Sequence, residues 1–150
     1  MERTMLCILA FGLLLVSGCT KSTDEKEEYD KAITDSTEAI QLNPQDGTAY
    51  NNRGRAYYHK EEYDKAIADF TEVIRLDPKY AVAYINRGIA YRDKGELDKA
   101  IADLTEVILL DPNLRAVAYY NRGYAYEKKG EKAKAEEDFA QLKKLGHRPP

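Results

Sequence analysis

The residue types that most often carry chemistry are few in this chain and widely spaced. The cysteines are Cys7 and Cys19, and the histidines are His59 and His147. A zinc site combines closely spaced Cys and His side chains, and a disulfide framework needs several cysteines. Because the histidines have no cysteine companions, the sequence predicts neither a metal site nor a disulfide framework.

Carboxylate pairs are the remaining candidates for catalysis, and they lie in unsuitable surroundings. Glu61-Glu62 falls in a predicted turn, and Glu136-Glu137 falls on a polar helix face. Neither place offers the apolar pocket that raises a carboxyl pKa for general acid catalysis. The chain also lacks a nucleophile elbow, a P-loop, an HExxH motif and a glycine-rich dinucleotide turn. We therefore predict no enzyme, no catalytic residue, no cofactor and no small-molecule substrate.

Length and charge exclude another class of function. The chain has 150 residues, which predicts one domain, and a formal net charge of −3. Binding to phosphate backbones requires clustered Lys and Arg, whereas the basic residues here are mixed with acids along every segment. We expect no nucleic acid partner.

Cys19 is the one cysteine with suggestive neighbours. Residues Met5–Val16 form an apolar run of 12, shorter than the roughly 20 residues that span a bilayer but typical of a signal-peptide core. Small residues precede the cysteine in Val16-Ser17-Gly18, which suits a peptidase that cleaves there. The segment resembles the lipobox of bacterial lipoproteins, whose cysteine thiol receives a diacylglycerol. The alternative is an ordinary signal peptide followed by a chance cysteine.

The lipobox resemblance implies a location for the mature protein. Residues 1–18 would be a signal peptide, Cys19 the lipidation site, and residues 19–27 a tether whose polar part, residues 20–27, spans at most about 26–29 Å. Thr20 stands where an Asp would retain a lipoprotein in the inner membrane. We therefore expect a lipid-anchored protein of the bacterial cell envelope, on the outer membrane facing the periplasm.

C-terminal to these residues, an internal repeat extends over the rest of the chain. The pentapeptide Tyr29–Ile33 recurs at Tyr63–Ile67 and, with Leu97 in place of Tyr, at Leu97–Ile101. Prolines recur every 34 residues, at Pro44, Pro78 and Pro112, and an Asn-Arg-Gly triplet begins at Asn52, Asn86 and Asn121. The period and its residues resemble the tetratricopeptide repeat over about residues 28–146.

This resemblance implies an all-α fold, a right-handed α-solenoid of helical hairpins with about 3.5 repeats. Apolar residues recur at helical spacing within each half-repeat. Gly54 and Ala66 are small enough to let paired helices approach closely. We predict seven helices, followed by a tail at 147–150, over residues 28–42, 46–60, 63–76, 80–94, 97–110, 115–129 and 131–145.

In the family that this repeat resembles, the first helix of each hairpin lines a concave groove. Repeat positions 2, 5, 9 and 12 share that helix face, and position 6 flanks it. The predicted peptide-binding residues on these positions are Asn51, Asn52, Arg55, Tyr58, Ile85, Asn86, Ile89, Arg92, Tyr120, Asn121 and Tyr124. Only one Asn fits the two-Asn, two-Lys, one-Arg clamp of some family members, so a chaperone-tail clamp is not expected.

Each group of groove residues also has a structural interpretation. The asparagines could bind a peptide backbone or hydrogen-bond within the repeat. The tyrosines and isoleucines could anchor a partner or pack between repeats, and the arginines could meet an acidic partner or water. A second periodic set, Arg at position 7 and Asp at position 23, predicts a structural ion ladder whose exposed pairs contribute about 0–1 kcal/mol each. Its members are Arg53, Arg87, Arg122, Asp35, Asp69, Asp103 and Asp138.

Three functions therefore compete. The first is a lipid-anchored adaptor that binds a protein or peptide segment in the groove during envelope complex assembly. The second is a structural envelope protein that self-associates through its solenoid ends, since the half-repeat at Tyr29–Leu42 leaves one end atypical. The third, disfavoured by the absent motifs, is a small enzyme.

Overall fold

The computed structural model describes the backbone of residues 5–147 and the side chains of residues 24–147. This part of the chain is helical without strands, which confirms the all-α solenoid of seven helices. The helices are α1 (Met5–Leu42), α2 (Gly47–His59), α3 (Tyr63–Leu76), α4 (Ala81–Lys94), α5 (Leu97–Leu110), α6 (Arg115–Lys129) and α7 (Lys132–Lys144). A short 3-10 turn, Pro112–Leu114, accommodates the one extra residue of the last period.

The N-terminal segment differs from the prediction. Helix α1 begins at Met5 rather than near residue 28, so the tether expected at residues 19–27 is helical. Residues 24–28 are Asp, Glu, Lys, Glu and Glu; the Glu and Lys residues are good helix formers, and no Gly or Pro interrupts them. At about 1.5 Å of rise per residue, eight residues advance about 12 Å instead of the 26–29 Å of an extended chain.

Several predictions fall outside what the structure describes. The side chains of the predicted signal peptide, 1–18, and of Cys19 lie outside the described residues, as does the tail beyond His147. Cleavage and lipidation therefore stay predictions. Within the described helices, none combines the length and the apolar content that crossing a bilayer requires.

Helices α2 with α3, α4 with α5, and α6 with α7 form three antiparallel hairpins, and α1 packs against α2 as the second half of an incomplete repeat. The fully buried residues include Phe70, Leu104 and Val107. In each hairpin, a large apolar side chain of the second helix packs directly against a glycine of the first helix. A Cβ on Gly54 would lie 2.8 Å from the Phe70 ring, and one on Gly123 would lie 2.6 Å from Phe139. The close approach expected from the small residues is therefore present.

The turn between the helices of a hairpin is the same in all three. Helices α4 and α6 are followed by Gly95 and Gly130, with φ of 94° and 85°. The equivalent residue after α2 is Glu61, with φ of 59°. Its turn keeps the same hydrogen bond, because the Glu62 N–H donates to the Tyr57 carbonyl as the Glu96 N–H donates to that of Tyr91. A residue with a Cβ is strained in this left-handed region.

Candidate protein-binding groove

The first helices of the three hairpins, α2, α4 and α6, lie next to one another and carry the predicted groove residues. Side chains join these helices directly. The Asn86 amide donates to the Asn51 side-chain oxygen at 3.0 Å, and the Arg92 guanidinium donates to the Asn121 oxygen at 2.7 Å. The groove wall is thus tied together by polar contacts between successive repeats.

A single carboxylate, Asp93, organises the middle of this wall. The Tyr58 hydroxyl of α2 donates to Asp93 Oδ2 at 2.7 Å. Arg92 donates to the same carboxylate through Nε at 2.9 Å and through its terminal nitrogen at 3.1 Å. Lys128 Nζ of α6 lies 3.6 Å from Asp93 Oδ1. We call Tyr58, Arg92, Asp93 and Asn121 the groove network.

The ionisation of these groups follows from their contacts. Burial raises the pKa of Tyr58 to about 12, and the hydrogen bond to Asp93 adds to the effect. Burial also pushes the pKa of Asp93 upward, but hydrogen bonds from Arg92 and Tyr58 and nearby positive charge outweigh it and leave this pKa below its ordinary value. At neutral pH the network therefore contains a neutral tyrosine, an anionic Asp93 and a cationic Arg92.

Two of the predicted groove residues lie in the interior. Ile85 is 7% exposed and packs with Ala81, Val107 and Ala118, so it belongs to the core rather than to the groove lining. Asn121 is 6% exposed, and its amide donates to the Val117 carbonyl at 2.9 Å. At these positions the structural interpretation is correct, because a partner would not reach side chains that the solenoid already covers.

The accessible lining divides into two ends of different chemistry. At the C-terminal end, the Tyr120 and Tyr124 rings meet edge to face at 4.9 Å, and Tyr124 continues to Phe139 at 5.7 Å. Tyr120 and the neighbouring Val117 are among the exposed large apolar residues of the protein. They border a cavity of about 380 Å³. We call Val117, Tyr120 and Tyr124 the aromatic end.

At the N-terminal end, the lining is polar and carries a cation. Arg55 and Asn52 are exposed on α2, and Arg55 lies between two cavities. The larger cavity, about 390 Å³, is lined by residues of α1 and α2, and the smaller, about 130 Å³, reaches Asn86 and Ile89. Among the side chains of 24–147, no ion pair engages Arg55, whereas Arg92 is committed to Asp93. Of the two arginines predicted to meet an acidic partner, Arg55 is the one that remains available.

The described part of the chain contains no cluster of three or more His, Cys, Asp or Glu side chains that could hold a metal ion.

Family models and solved structures agree with this architecture. A tetratricopeptide-repeat model matches residues 47–80 and 81–114, a TPR-repeat model matches residues 25–60, and another tetratricopeptide-repeat model matches residues 116–145. The chain belongs to the tetratricopeptide-repeat family. Tetratricopeptide repeats generally mediate protein–protein interaction, so the domain belongs to a family of protein-interaction modules.

Among solved structures, the domain is similar to the protein MamA. One MamA crystal structure has a TM-score of 0.73 and 31% sequence identity, over 77% of this chain and 67% of that chain. A second has a TM-score of 0.72 and 32% identity, over 76% of this chain and 62% of that chain. A fragment of MamA from Desulfovibrio magneticus RS-1 has a TM-score of 0.75 at 24% identity, over 80% of this chain and 67% of that chain, which shows the fold alone. No curated protein matches the chain in sequence.

The Arg–Asp ladder of this tetratricopeptide-repeat domain is structural, as predicted, but it is not exposed. Each arginine makes a two-pronged contact within its own hairpin, with distances of 2.7–2.9 Å, in the pairs Arg53–Asp69, Arg87–Asp103 and Arg122–Asp138. The three aspartates are only 5%, 7% and 3% exposed. Each arginine also donates to a threonine of the preceding second helix, for example Arg87 to Thr71 at 3.1 Å. The ladder therefore joins neighbouring repeats.

The residue that the groove prediction missed is Asp93. It follows Arg92 at a repeat position occupied by His59 and Lys128 elsewhere, so it did not share the face used to select groove residues. The sequence did carry one signal. Asp93 places an acidic residue directly after the groove residue Arg92, at a position that is His or Lys in the neighbouring repeats.

Proposed function

We propose that this tetratricopeptide-repeat domain binds an extended segment of a partner protein along α2, α4 and α6, and that it does so as a lipid-anchored scaffold of the bacterial cell envelope. The observation that carries the groove proposal is the accessible lining itself. An exposed aromatic end and an available arginine lie on the same row of helices, which the groove network holds in place.

The chemistry of the two ends favours a particular kind of segment. Tyrosine side chains supply large contact areas with little loss of conformational entropy, and they are frequent among the residues that dominate binding energy. Arg55 would pair with a carboxylate, and Asn52 offers both a donor and an acceptor to a peptide backbone. The proposed ligand therefore carries an apolar or aromatic anchor at one end and an acidic residue toward the other.

Capture from envelope extracts with the double variant Tyr120→Ala, Tyr124→Ala tests the groove. The matched control is Leu109→Ala, because Leu109 is 71% exposed on α5, a second helix that does not line the groove. We expect the control to retain the partners captured by the wild-type protein and the double variant to lose them. Equal capture by all three proteins would contradict binding at the aromatic end.

The proposal of lipid attachment at Cys19 rests on the lipobox-like sequence Val16-Ser17-Gly18-Cys19 and is tested separately. Cells fed an alkyne-tagged palmitate would label the wild-type protein and a Cys7→Ser control, since Cys7 leaves with the signal peptide. The Cys19→Ser variant would lose the label and the membrane association. Undiminished label on Cys19→Ser would refute the lipidation site.

The outer-membrane location rests on Thr20 and can be tested separately. In a Gram-negative host, density fractionation of membranes should recover the wild-type protein with the outer membrane. The Thr20→Asp variant should move to the inner-membrane fraction. An unchanged distribution would show that Thr20 does not determine the location, and it would leave the groove proposal intact.

A further inference from the structure

In the described part of the chain, the incomplete first repeat has a second helix, α1, but no first helix pairs with it. In the three complete hairpins the first helix lies on a face of the second helix formed by Ala66, Asp69, Phe70 and Val73 and their equivalents. Thirty-four residues upstream, the same face of α1 carries Ala32, Asp35, Ser36 and Ala39. Because α1 is one helix from Met5 to Leu42, no helix of the described backbone returns to pair with this face as a first helix would. Ser36 is only 8% exposed beside α2, so the open part of the face is formed by Asp35 and the half-buried Ala32 and Ala39.

Two polar side chains beside this face lack the contacts that their equivalents make. Asp69, Asp103 and Asp138 each receive a two-pronged arginine from their own first helix, whereas Asp35 is exposed and makes no ion pair among residues 24–147. Asn86 donates to Asn51 of the preceding first helix, whereas its equivalent Asn52 is exposed and has no preceding first helix. Both side chains border the cavity of about 390 Å³ between α1 and α2.

From these two unmatched groups we infer that the α1 face is a docking slot for an α-helix of another protein, which would complete the first repeat. This site adjoins the N-terminal end of the groove and shares Asn52 with it, but its other determinant, Asp35 on α1, lies outside the groove. The matching interfaces inside the chain define the occupant: a helix with an arginine for Asp35 and, two residues before it, a polar acceptor for Asn52. In α2 these are Arg53 and Asn51.

The slot also differs from its equivalents in size, and the difference sets a third requirement. The first helices carry glycine opposite Phe70, Leu104 and Phe139, because a Cβ there would lie 2.6–3.0 Å from those side chains. Ser36 takes the place of the bulky residue in α1. No bulky side chain of α1 therefore requires glycine directly after the partner's arginine. An apolar side chain at that position would lie over Ser36 at the edge of the cavity, and burying it would strengthen binding.

An intact second copy of this chain does not satisfy these requirements. Only α2 has an Asn two residues before its arginine, and all three first helices are themselves packed in hairpins with their arginines bound to Asp69, Asp103 and Asp138. A partner with an available amphipathic helix, polar-x-Arg followed by a large apolar residue, is the occupant that the slot favours.

A labelled peptide tests the slot on the full chain purified in detergent. The probe has the sequence of residues 46–60 with Gly54→Leu, so that it carries the acceptor, the arginine and the apolar residue. Fluorescence anisotropy should show saturable binding, about tenfold tighter than that of the peptide with native Gly54. Asp35→Asn in the protein, or Arg53→Ala in the peptide, should weaken binding by about tenfold or more, because a charge-assisted contact is lost.

Two further experiments exchange the charges of Asp35 and the probe arginine, and test the probe on the groove variant. Asp35→Arg should abolish binding of the probe, and a probe with Arg53→Asp should bind that variant again. The Tyr120→Ala, Tyr124→Ala protein should bind the probe like the wild type, which separates the slot from the groove. Asp35 is exposed, and the circular dichroism of its variants should match the wild type.

Three results would overturn the inference. They are the absence of saturable binding, equal affinity for wild-type and Asp35→Asn protein, and loss of binding in the groove variant alone. A wild-type dimer that Asp35→Asn dissociates would reassign the slot to a second copy and would equally overturn it.

Discussion

Two sets of arginine–carboxylate contacts lie in the solenoid, and they differ in periodicity and burial. The ladder repeats in every complete hairpin, and its aspartates are almost fully buried. The contact between Arg92 and Asp93 occurs once, on the groove wall, where both side chains are about one-fifth exposed. The repeated pairs join the helices of the fold, whereas the single pair shapes the surface on which a partner would lie.

A third set shows that periodicity alone does not set the energy of a contact. Lysines at the end of each first helix pair with an aspartate of the preceding second helix, in Lys60–Asp30, Lys94–Asp64 and Lys129–Asp98. These pairs are as regular as the ladder, but Asp64 and Asp98 are 81% and 82% exposed. Water screens them, so their burial rather than their period distinguishes them from the ladder.

The largest effect is expected from breaking the ladder. Asp103→Ala removes the carboxylate that pairs with Arg87 and leaves the half-buried guanidinium without its partner. We expect a loss of about 3 kcal/mol in the free energy of unfolding. Urea denaturation followed by circular dichroism would measure it. Asp98→Asn on the same helix is the matched control, and a similar loss in both variants would contradict the role assigned to burial.

Removing the charge of Asp93 should have a smaller effect on stability. Asp93→Asn keeps the shape of the side chain but weakens the hydrogen bonds from Arg92 and Tyr58, for an expected loss of about 1–2 kcal/mol. It should also lower the pKa of Tyr58 from about 12, because the neighbouring negative charge is gone. Tyrosine absorbance during alkaline titration would detect the change, and an unaltered titration curve would argue against the contact.

The pH dependence of this loss follows from the lowered pKa of Asp93. A carboxyl group whose pKa is lower in the folded than in the unfolded state stabilises the fold above its unfolded pKa, and the stabilisation disappears as the pH falls through the folded value. The stability difference between wild type and Asp93→Asn should therefore be constant at neutral pH and should shrink below about pH 4. Urea titrations from pH 7 to pH 3 would measure it; a difference that grows in acid would reverse the sign assigned here.

Replacing Glu61 by the glycine found at the equivalent positions of the other two hairpins should stabilise the protein. Glu61→Gly relieves the positive φ that Gly95 and Gly130 adopt without a Cβ, and we expect a gain of up to about 1 kcal/mol. The reciprocal control is Gly95→Glu, which should destabilise, because a Cβ there meets no atom within 4 Å and only the backbone conformation is strained. Thermal unfolding of both variants would test the pair. Shifts of the same sign would exclude backbone strain as the cause.

The smallest effect is expected for the exposed lysine–aspartate pairs. Asp64→Asn removes the partner of Lys94 at a side chain that is 81% exposed. We expect no change in the midpoint of thermal unfolding beyond experimental error, at low or at high salt. A clear destabilisation that salt abolishes would place these pairs with the ladder instead.

Much of the fold was predictable from the sequence because the same helix and turn signals occur in three successive repeats. The hairpin helices are within one residue of their predicted ends, since Pro78 and Pro112 and the turn residues act locally. The start of α1 was not predictable in the same way, because its upstream residues have no apolar periodicity and only their helix propensity favours continuation. In the groove, Arg55, Tyr120 and Tyr124 were placed correctly on accessible faces of the first helices, and their binding role stays a prediction.

The sequence by itself determined the helical period, the pairing of small with large residues at each hairpin, and the periodic Arg–Asp pairs. All of these depend on residues at fixed separations within one repeat. Only the tertiary structure decided that the ladder is buried, that Ile85 and Asn121 face the interior, and that Asp93 receives contacts from two helices. Burial and contacts between repeats depend on how each helix lies against its neighbours, which no spacing within a single repeat specifies.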